Sequence, residues 1–137
     1  MAATVKQFKK RNAILQCLRE TDLHPSAETL YQMLQKEHPD ISLATVYRNL
    51  ARFKNEGIIT SIGSVNGIER FDAITEPHVH FICSCCSRVV DLPQMEVPES
   101  LCSLVSGQTG AQVESCQLAF TGICRECQEK KKADATA

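Results

Sequence analysis

The sequence has little of several features that mark specialised classes of protein. It contains no tryptophan, and aromatic residues make up only 5% of its 137 residues. No apolar run approaches the roughly 20 residues that a membrane-spanning helix needs, and residues 1–15 do not resemble a secretion signal. The net charge is only −1. These absences predict a cytoplasmic protein with no membrane partner, and they exclude a strongly basic protein that coats nucleic acid.

Hydrophobic residues and cysteines, by contrast, are plentiful. Hydrophobic residues make up 43% of the chain, which is enough for folded cores. A chain of this length permits one ordinary domain or two small ones. Eight cysteines are many for this length. They would indicate disulfides in an oxidising compartment, but in a reducing cytosol paired C-x-x-C motifs more often hold a metal.

The first half of the chain has the pattern of three helices. Apolar residues recur at helical spacing along residues 5–20, Ser26 and Ser42 are suited to cap two further helices, and Gly57 is suited to end the third. The second helix is expected to end at His38, which we interpret as a loop residue. The apolar positions predicted to face a core are Phe8, Ile14, Leu15, Leu18, Leu30, Met33, Leu34, Leu43, Val46, Leu50 and Phe53.

An Asn66-Gly67 turn between two apolar runs predicts a hairpin after the third helix. Three helices followed by a hairpin are the order of a winged helix-turn-helix, which we assign to residues 1–73. In such a domain the third helix enters the major groove of DNA. Thr45, Tyr47 and Arg48 lie off its apolar stripe and can meet bases or phosphates. The alternative is an ordinary polar surface helix.

The second half is predicted to contain short strands and one helix, and it is too small for a robust core of its own. We therefore expect a homodimer. A hinge at 74–78 precedes a dimerisation and metal-binding domain at 79–128, and a disordered tail follows at 129–137. The predicted elements are strands at 79–83, 88–92 and 111–121 and a helix at 98–106, with Leu101, Leu104 and Val105 facing inward.

Two C-x-x-C pairs provide the strongest chemical signal in the sequence. They can supply four thiolates in a tetrahedron, which suits a closed, structural zinc site. Disulfide or redox chemistry is the alternative. Cys85 lies inside the first pair, and a shifted register could use it instead. The predicted zinc ligands are Cys83, Cys86, Cys124 and Cys127.

Histidines and aspartates form a second candidate site. His78 and His80 are two residues apart on a predicted strand, so both side chains point to the same face. Asp72, Asp91 and the remote His24 complete a nitrogen and oxygen donor set that suits iron, manganese or zinc. On their own, the two strand histidines could also be ordinary surface residues.

With these motifs in view, the sequence resembles the ferric uptake regulator family over nearly its whole length, most closely its peroxide-sensing branch. The resemblance rests on His24-Pro25, residues 42–48 (SLATVYR), Arg70-Phe71-Asp72, His78-Val79-His80 and the two cysteine pairs. That branch uses a regulatory site of three histidines and two aspartates. These roles map onto His24, Asp72, His78, His80 and Asp91.

The resemblance implies a homodimeric repressor that binds a double-stranded palindromic operator. Zn²⁺ would be structural, and Fe²⁺ or Mn²⁺ at the regulatory site would favour DNA binding. In the iron form, peroxide would oxidise a ligand histidine, His24 or His78, and DNA would be released. The protein would then be a sensor and not an enzyme, with no small-molecule substrate.

The sequence also departs from the family pattern. The extra helix that precedes Lys6 in many members is not seen, and neither is the third metal site of iron-sensing members. Cys116 stands where a histidine is frequent, as a core residue or as a soft ligand. The rival functions are a metal uptake regulator on the same scaffold, an oxygen-activating metalloenzyme, and a zinc-ribbon module that binds protein.

Overall fold

A computed structural model describes residues 4–76 and 78–136, and the chain divides into two compact units between Thr75 and Glu76. This division falls inside the predicted hinge at 74–78. Pro77 of that hinge and Ala137 of the predicted tail lie outside the described residues. The architecture is mixed α+β, which confirms the predicted fold class. Across the described ranges, no helix is long and apolar enough to cross a membrane.

The first unit begins with three helices, each of which starts at a side-chain cap. Thr4, Ser26 and Ser42 each accept a hydrogen bond from the amide three residues further on. Such a bond satisfies an amide that has no partner within the helix. The predicted caps at Ser26 and Ser42 are therefore confirmed. At Thr4 the cap is a reciprocal capping box with Gln7, which we did not anticipate. The helices are α1 (Val5–Glu20), α2 (Ala27–Leu34) and α3 (Leu43–Asn55).

One face of each helix and the hairpin build the core of the first unit. Most of the predicted stripe is buried, but Phe8 is 50% exposed and Met33 is 37% exposed. The buried face of α2 consists of Ala27, Leu30 and Leu34, and Met33 lies at the edge of this face. The core residues are Ile14, Leu15, Leu18, Ala27, Leu30, Leu34, Ile41, Val46, Leu50, Phe53, Ile59 and Phe71.

A two-stranded hairpin, the predicted wing, follows α3. Its strands β1 (Thr60–Val65) and β2 (Ile68–Asp72) pair antiparallel. Asn66 and Gly67 have φ values of 52° and 83°, and positive φ at both positions is what the tight turn of a hairpin requires. The predicted Asn-Gly turn is confirmed. The hairpin brings Asp72 to the end of β2, opposite Thr60.

The second unit is built on a three-stranded sheet in the order β4-β3-β5. The central strand pairs antiparallel with β4 and parallel with β5. Parallel strands need a long crossover connection, and this connection contains α4. The register places His80 opposite Asp91 and Cys83 opposite Gly122. The elements are β3 (Val79–Cys83), β4 (Val89–Leu92), α4 (Glu99–Thr109), β5 (Leu118–Gly122) and α5 (Arg125–Thr136).

Three predictions about the second unit are wrong. The strand expected at 111–121 is regular only over β5, because only that part lies alongside β3. Residues 129–136 belong to α5 rather than to a disordered tail. Five of these eight residues are lysine or alanine, which favour helix. Leu101, Leu104 and Val105 of α4 are exposed rather than inward. The described part of this single chain offers α4 no packing partner that buries any of its residues.

Candidate metal centres

The four cysteines predicted to bind zinc lie together in the second unit. The Sγ atoms of Cys83 and Cys127 are 3.9 Å apart, as are those of Cys86 and Cys124. All four lie within 4.8 Å of one another. Sulfurs bound at about 2.3 Å to one tetrahedral zinc are about 3.8 Å apart, whereas a disulfide requires about 2.05 Å. The donor set and its spacing therefore suit a closed zinc site.

The backbone around Cys83 favours a thiolate. The amides of Cys86 and Cys124 donate hydrogen bonds to its Sγ at 3.5 and 3.4 Å. These amides lower the pKa of the buried Cys83 thiol to about 6. Zinc binds the deprotonated form of cysteine, so the fold prepares this ligand for the metal.

The remaining cysteines lie outside this cluster. Cys85 and Cys86 are both exposed, but only the Cys86 sulfur converges with the other three, so the geometry favours the register that uses Cys83 and Cys86. Cys17, Cys102 and Cys116 are half-buried. Burial raises the pKa of the Cys17 thiol, which favours its protonated form. A half-buried thiol of this kind behaves as a small packing residue.

A second group of metal-binding side chains also lies in the second unit, on β3, on the residue just before it and on β4. The Nε2 atoms of His78 and His80 lie 3.0 and 3.1 Å from the same oxygen, Oδ1 of Asp91. Neighbouring ligands bound at about 2.1 Å and at right angles are about 3.0 Å apart. Each nitrogen thus lies at the spacing of an adjacent metal ligand from the Asp91 oxygen.

The hydrogen bonding of His78 identifies which of its nitrogens can bind a metal. Its Nδ1–H donates to the carbonyl of Glu76 at 2.8 Å. In a neutral imidazole the proton is then on Nδ1, and the lone pair on Nε2 points toward the Asp91 carboxylate. Such an arrangement favours a cation between the two groups. A carbonyl that fixes the second ring nitrogen is also the usual support of a histidine metal ligand.

Two further predicted ligands lie in the first unit. His24 and Asp72 are only 4% and 5% exposed, and Nε2 of His24 lies 3.3 Å from Oδ2 of Asp72. The other oxygen of Asp72 accepts a hydrogen bond from the amide of Ile74 at 2.8 Å, which fixes the carboxylate. This buried pair presents one nitrogen and one oxygen donor to a divalent ion. His38 lies in the loop after α2, as predicted.

The predicted DNA-reading residues lie on α3. Tyr47 is 51% exposed and Arg48 is exposed, while the opposite face of the helix buries Val46, Leu50 and Phe53. Thr45 is half-buried and accepts a hydrogen bond from Arg48 at 3.2 Å. The helix therefore presents a tyrosine and an arginine to the outside while its apolar face holds it in the unit.

Comparison with known proteins supplies the decisive observation. The family model described as the ferric uptake regulator family matches residues 2–121 of the chain. The chain belongs to the ferric uptake regulator family. As a member, it is a metal-responsive transcriptional repressor.

Individual relatives agree with this assignment. The chain is 37% identical over 130 residues to the peroxide-responsive repressor PerR of Staphylococcus aureus, with 93% of this chain and 86% of that protein covered. The crystal structure of the Campylobacter jejuni peroxide stress regulator has a TM-score of 0.76 at 28% identity, over 90% of this chain and 92% of that one. The iron-containing ferric uptake regulator of Francisella tularensis has a TM-score of 0.74 at 25% identity, over 93% and 95% of the two chains.

Membership of the ferric uptake regulator family fits the chemistry of both groups of side chains. The four thiolates suit a structural zinc, and the histidines and aspartates suit a regulatory metal.

Sequence reasoning missed one residue beside His24. Arg70 donates hydrogen bonds to the carbonyls of Leu23 and His24. The only signal for it was its place in the motif Arg70-Phe71-Asp72, because its contacts are made across 46 and 47 residues of chain.

Proposed function

We propose that this repressor senses peroxide through oxidation of a histidine in its regulatory metal site, and that oxidation releases operator DNA. The observation that carries the proposal is the convergence of His78 and His80 on one oxygen of Asp91, at 3.0 and 3.1 Å. Two imidazoles and a carboxylate form a nitrogen and oxygen donor set that suits Fe²⁺ or Mn²⁺ better than a soft metal. The buried pair of His24 and Asp72 offers two more donors of the same kind.

In this proposal the five residues bind one regulatory ion. His24 and Asp72 belong to the first unit and the other three ligands to the second. An ion held by both sets favours whichever arrangement of the units lets all five donors reach it. A ligand shifts a conformational equilibrium by its difference in affinity for the two states. Metal binding then stabilises the arrangement that fits DNA, and loss of one ligand removes that preference.

The chemistry that bound Fe²⁺ supplies is activation of hydrogen peroxide. One oxygen atom of the peroxide is added to a carbon of the imidazole ring, and the other leaves as water. His24 and His78 are the proposed targets. An oxidised imidazole is a poorer donor, so the site no longer holds its metal. The protein is consumed by the event, and this makes it a sensor with a single response rather than an enzyme.

The DNA-binding part of the proposal rests on α3 and on dimerisation. Tyr47 and Arg48 are exposed on α3, and Thr45 lies beside them. Regulators of this family bind operator DNA as dimers, and two copies related by a two-fold axis match a palindromic site. The exposed apolar side chains of α4 provide a surface that a second copy can bury.

Metal-dependent DNA binding tests the proposal. We expect the purified protein to bind an operator selected from random DNA when Mn²⁺ is present and to lose this binding when Mn²⁺ is chelated. His24→Ala should fold and keep its zinc but lose the response to Mn²⁺. His38→Ala, which alters a loop histidine of the same unit, is the matched control. Equal binding by wild-type protein and His24→Ala across a Mn²⁺ titration would contradict the assignment.

A metal uptake regulator is the second candidate, because the same donors can bind a divalent ion reversibly without oxidation. Both functions predict Mn²⁺-dependent DNA binding. They differ when the Fe²⁺ form meets peroxide, since only the peroxide sensor gains an oxygen atom on a ligand histidine and releases DNA.

A further inference from the structure

His24 lies in the loop that connects α1 to α2, and its backbone is strained. Its φ is 50°, in the left-handed region. A residue with a Cβ atom is strained in that region, and such strain persists only when the surroundings fix it. The backbone of His24 therefore needs external contacts to keep this conformation.

Strand β2 supplies those contacts to three successive carbonyl groups. Nη2 of Arg70 donates to the carbonyl of Leu23 at 2.7 Å, and Nε of Arg70 donates to the carbonyl of His24. The amide of Phe71 donates to the carbonyl of Pro25 at 3.1 Å. The loop is thus attached to β2 at each of these consecutive residues.

The same attachment aligns His24 with Asp72. Asp72 directly follows the two residues that contact the loop, and its Oδ2 lies 3.3 Å from Nε2 of His24. Pairing the loop with residues 70 and 71 therefore places the imidazole beside the next carboxylate on the strand. Release of the loop would allow His24 to relax to negative φ and to turn its ring away from Asp72.

We propose that Arg70 is a positioning residue for the regulatory metal site, which it supports by holding the His24 backbone in register with Asp72. This inference rests on the proposed role of His24 and Asp72 as ligands. Arg70 does not bind the ion itself. Its planar guanidinium carries several N–H donors in a fixed arrangement, so that it serves two adjacent carbonyls at once. A lysine ammonium is a single point charge on a flexible stem and cannot reproduce this geometry.

The test compares Arg70→Gln and Arg70→Lys with the wild-type protein. Arg11→Gln is the matched control, because Arg11 belongs to the same unit and pairs with Glu56 at 3.0 Å without contacting the loop. Mn²⁺ affinity is measured by electron paramagnetic resonance titration. Loss of a residue that supports a metal ligand typically weakens metal binding about 10–100-fold. We expect that loss for Arg70→Gln, a smaller one for Arg70→Lys, and none for Arg11→Gln.

A readout that does not require the regulatory metal separates positioning from general destabilisation. Hydrogen exchange of the metal-free protein should accelerate at residues 21–26 in Arg70→Gln, while the buried amides of α3 keep wild-type rates. Zinc content should stay unchanged. Two results together would mean that Arg70 is merely structural. They are faster exchange throughout the first unit in Arg70→Gln and an equal fall in Mn²⁺ affinity in the control Arg11→Gln.

His24→Ala distinguishes failure of this inference from failure of the proposed function. If His24→Ala loses Mn²⁺ affinity but Arg70→Gln binds as wild type, the positioning role is wrong and the ligand assignment stands. If His24→Ala itself binds Mn²⁺ as wild type, the ligand assignment is wrong, and the positioning role is overturned with it.

Discussion

Replacement of Cys83 by serine should unfold the second unit and leave the first unit folded. Cys83 is fully buried and accepts two backbone hydrogen bonds at its Sγ. Serine offers a short, weakly acidic hydroxyl in place of a thiolate, so the four-sulfur donor set is broken. Cys85→Ser is the matched control, because Cys85 is exposed and lies outside the cluster.

The expected magnitude follows from how little apolar material the second unit buries. Among its described residues, the buried hydrophobic side chains other than cysteine are Val79 and Val89. Full burial of a valine contributes about 1.5–3 kcal/mol, whereas structural zinc contributes roughly 10–16 kcal/mol in small domains. Zinc held by the four cysteines would therefore be the dominant stabilising element of this unit. The first unit has its own core of aliphatic and aromatic side chains.

Because the chain has no tryptophan, circular dichroism and hydrogen exchange are the suitable assays. We expect Cys83→Ser to lose its zinc, part of its helical signal and the protection of β3 amides, while α1–α3 stay protected. Cys85→Ser should match the wild-type protein in all three. Retention of stoichiometric zinc and of β3 protection by Cys83→Ser would refute the zinc assignment.

Three further predictions concern DNA binding, dimerisation and pH. Arg48→Ala should weaken operator binding by about 1–3 kcal/mol in a fluorescence anisotropy titration, and Arg19→Ala on α1 should not; equal losses would count against α3 as the reading helix. Leu104→Asp should dissociate the dimer in light scattering while Ser103→Asp leaves it intact, and an unchanged mass for Leu104→Asp would exclude this face. Folding lowers the pKa of Cys83 from 9.0 to about 6. The thiolate therefore contributes its full stabilisation above pH 9.0, and this stabilisation is lost as the pH falls through about 6. Uptake of zinc by the metal-free protein should therefore weaken as pH falls below about 6, and uptake that does not change through this range would contradict that role.

The features that sequence analysis predicted correctly depend on short-range chemistry. The caps at Ser26 and Ser42 and the Asn66-Gly67 turn are each determined within four residues of chain, and each is confirmed. The C-x-x-C spacing of the two cysteine pairs is visible in the sequence, and the fold brings the two pairs together. His78, just before β3, and His80 on it both approach Asp91, as the alternation of side chains along an extended chain predicts.

The predictions that failed depend on partners that a local pattern does not contain. Helix α4 has a regular apolar stripe, but exposure of Leu104 and Val105 depends on what packs against it. The tail is a different case, because the lysines and alanines of residues 129–136 favour helix on local grounds alone, and these residues belong to α5. The role of Arg70 could not be predicted, because its contacts join residues 46 and 47 positions apart and become visible only in the fold.

The most direct test of the central claim is the mass of the regulatory-site peptides after peroxide treatment of the Fe²⁺-loaded protein, with the Mn²⁺-loaded protein as control. The account predicts a gain of one oxygen atom on His24 or His78 in the Fe²⁺ form alone, accompanied by release of operator DNA. Unmodified His24 and His78 peptides from the Fe²⁺ form, with operator DNA still bound, would contradict it.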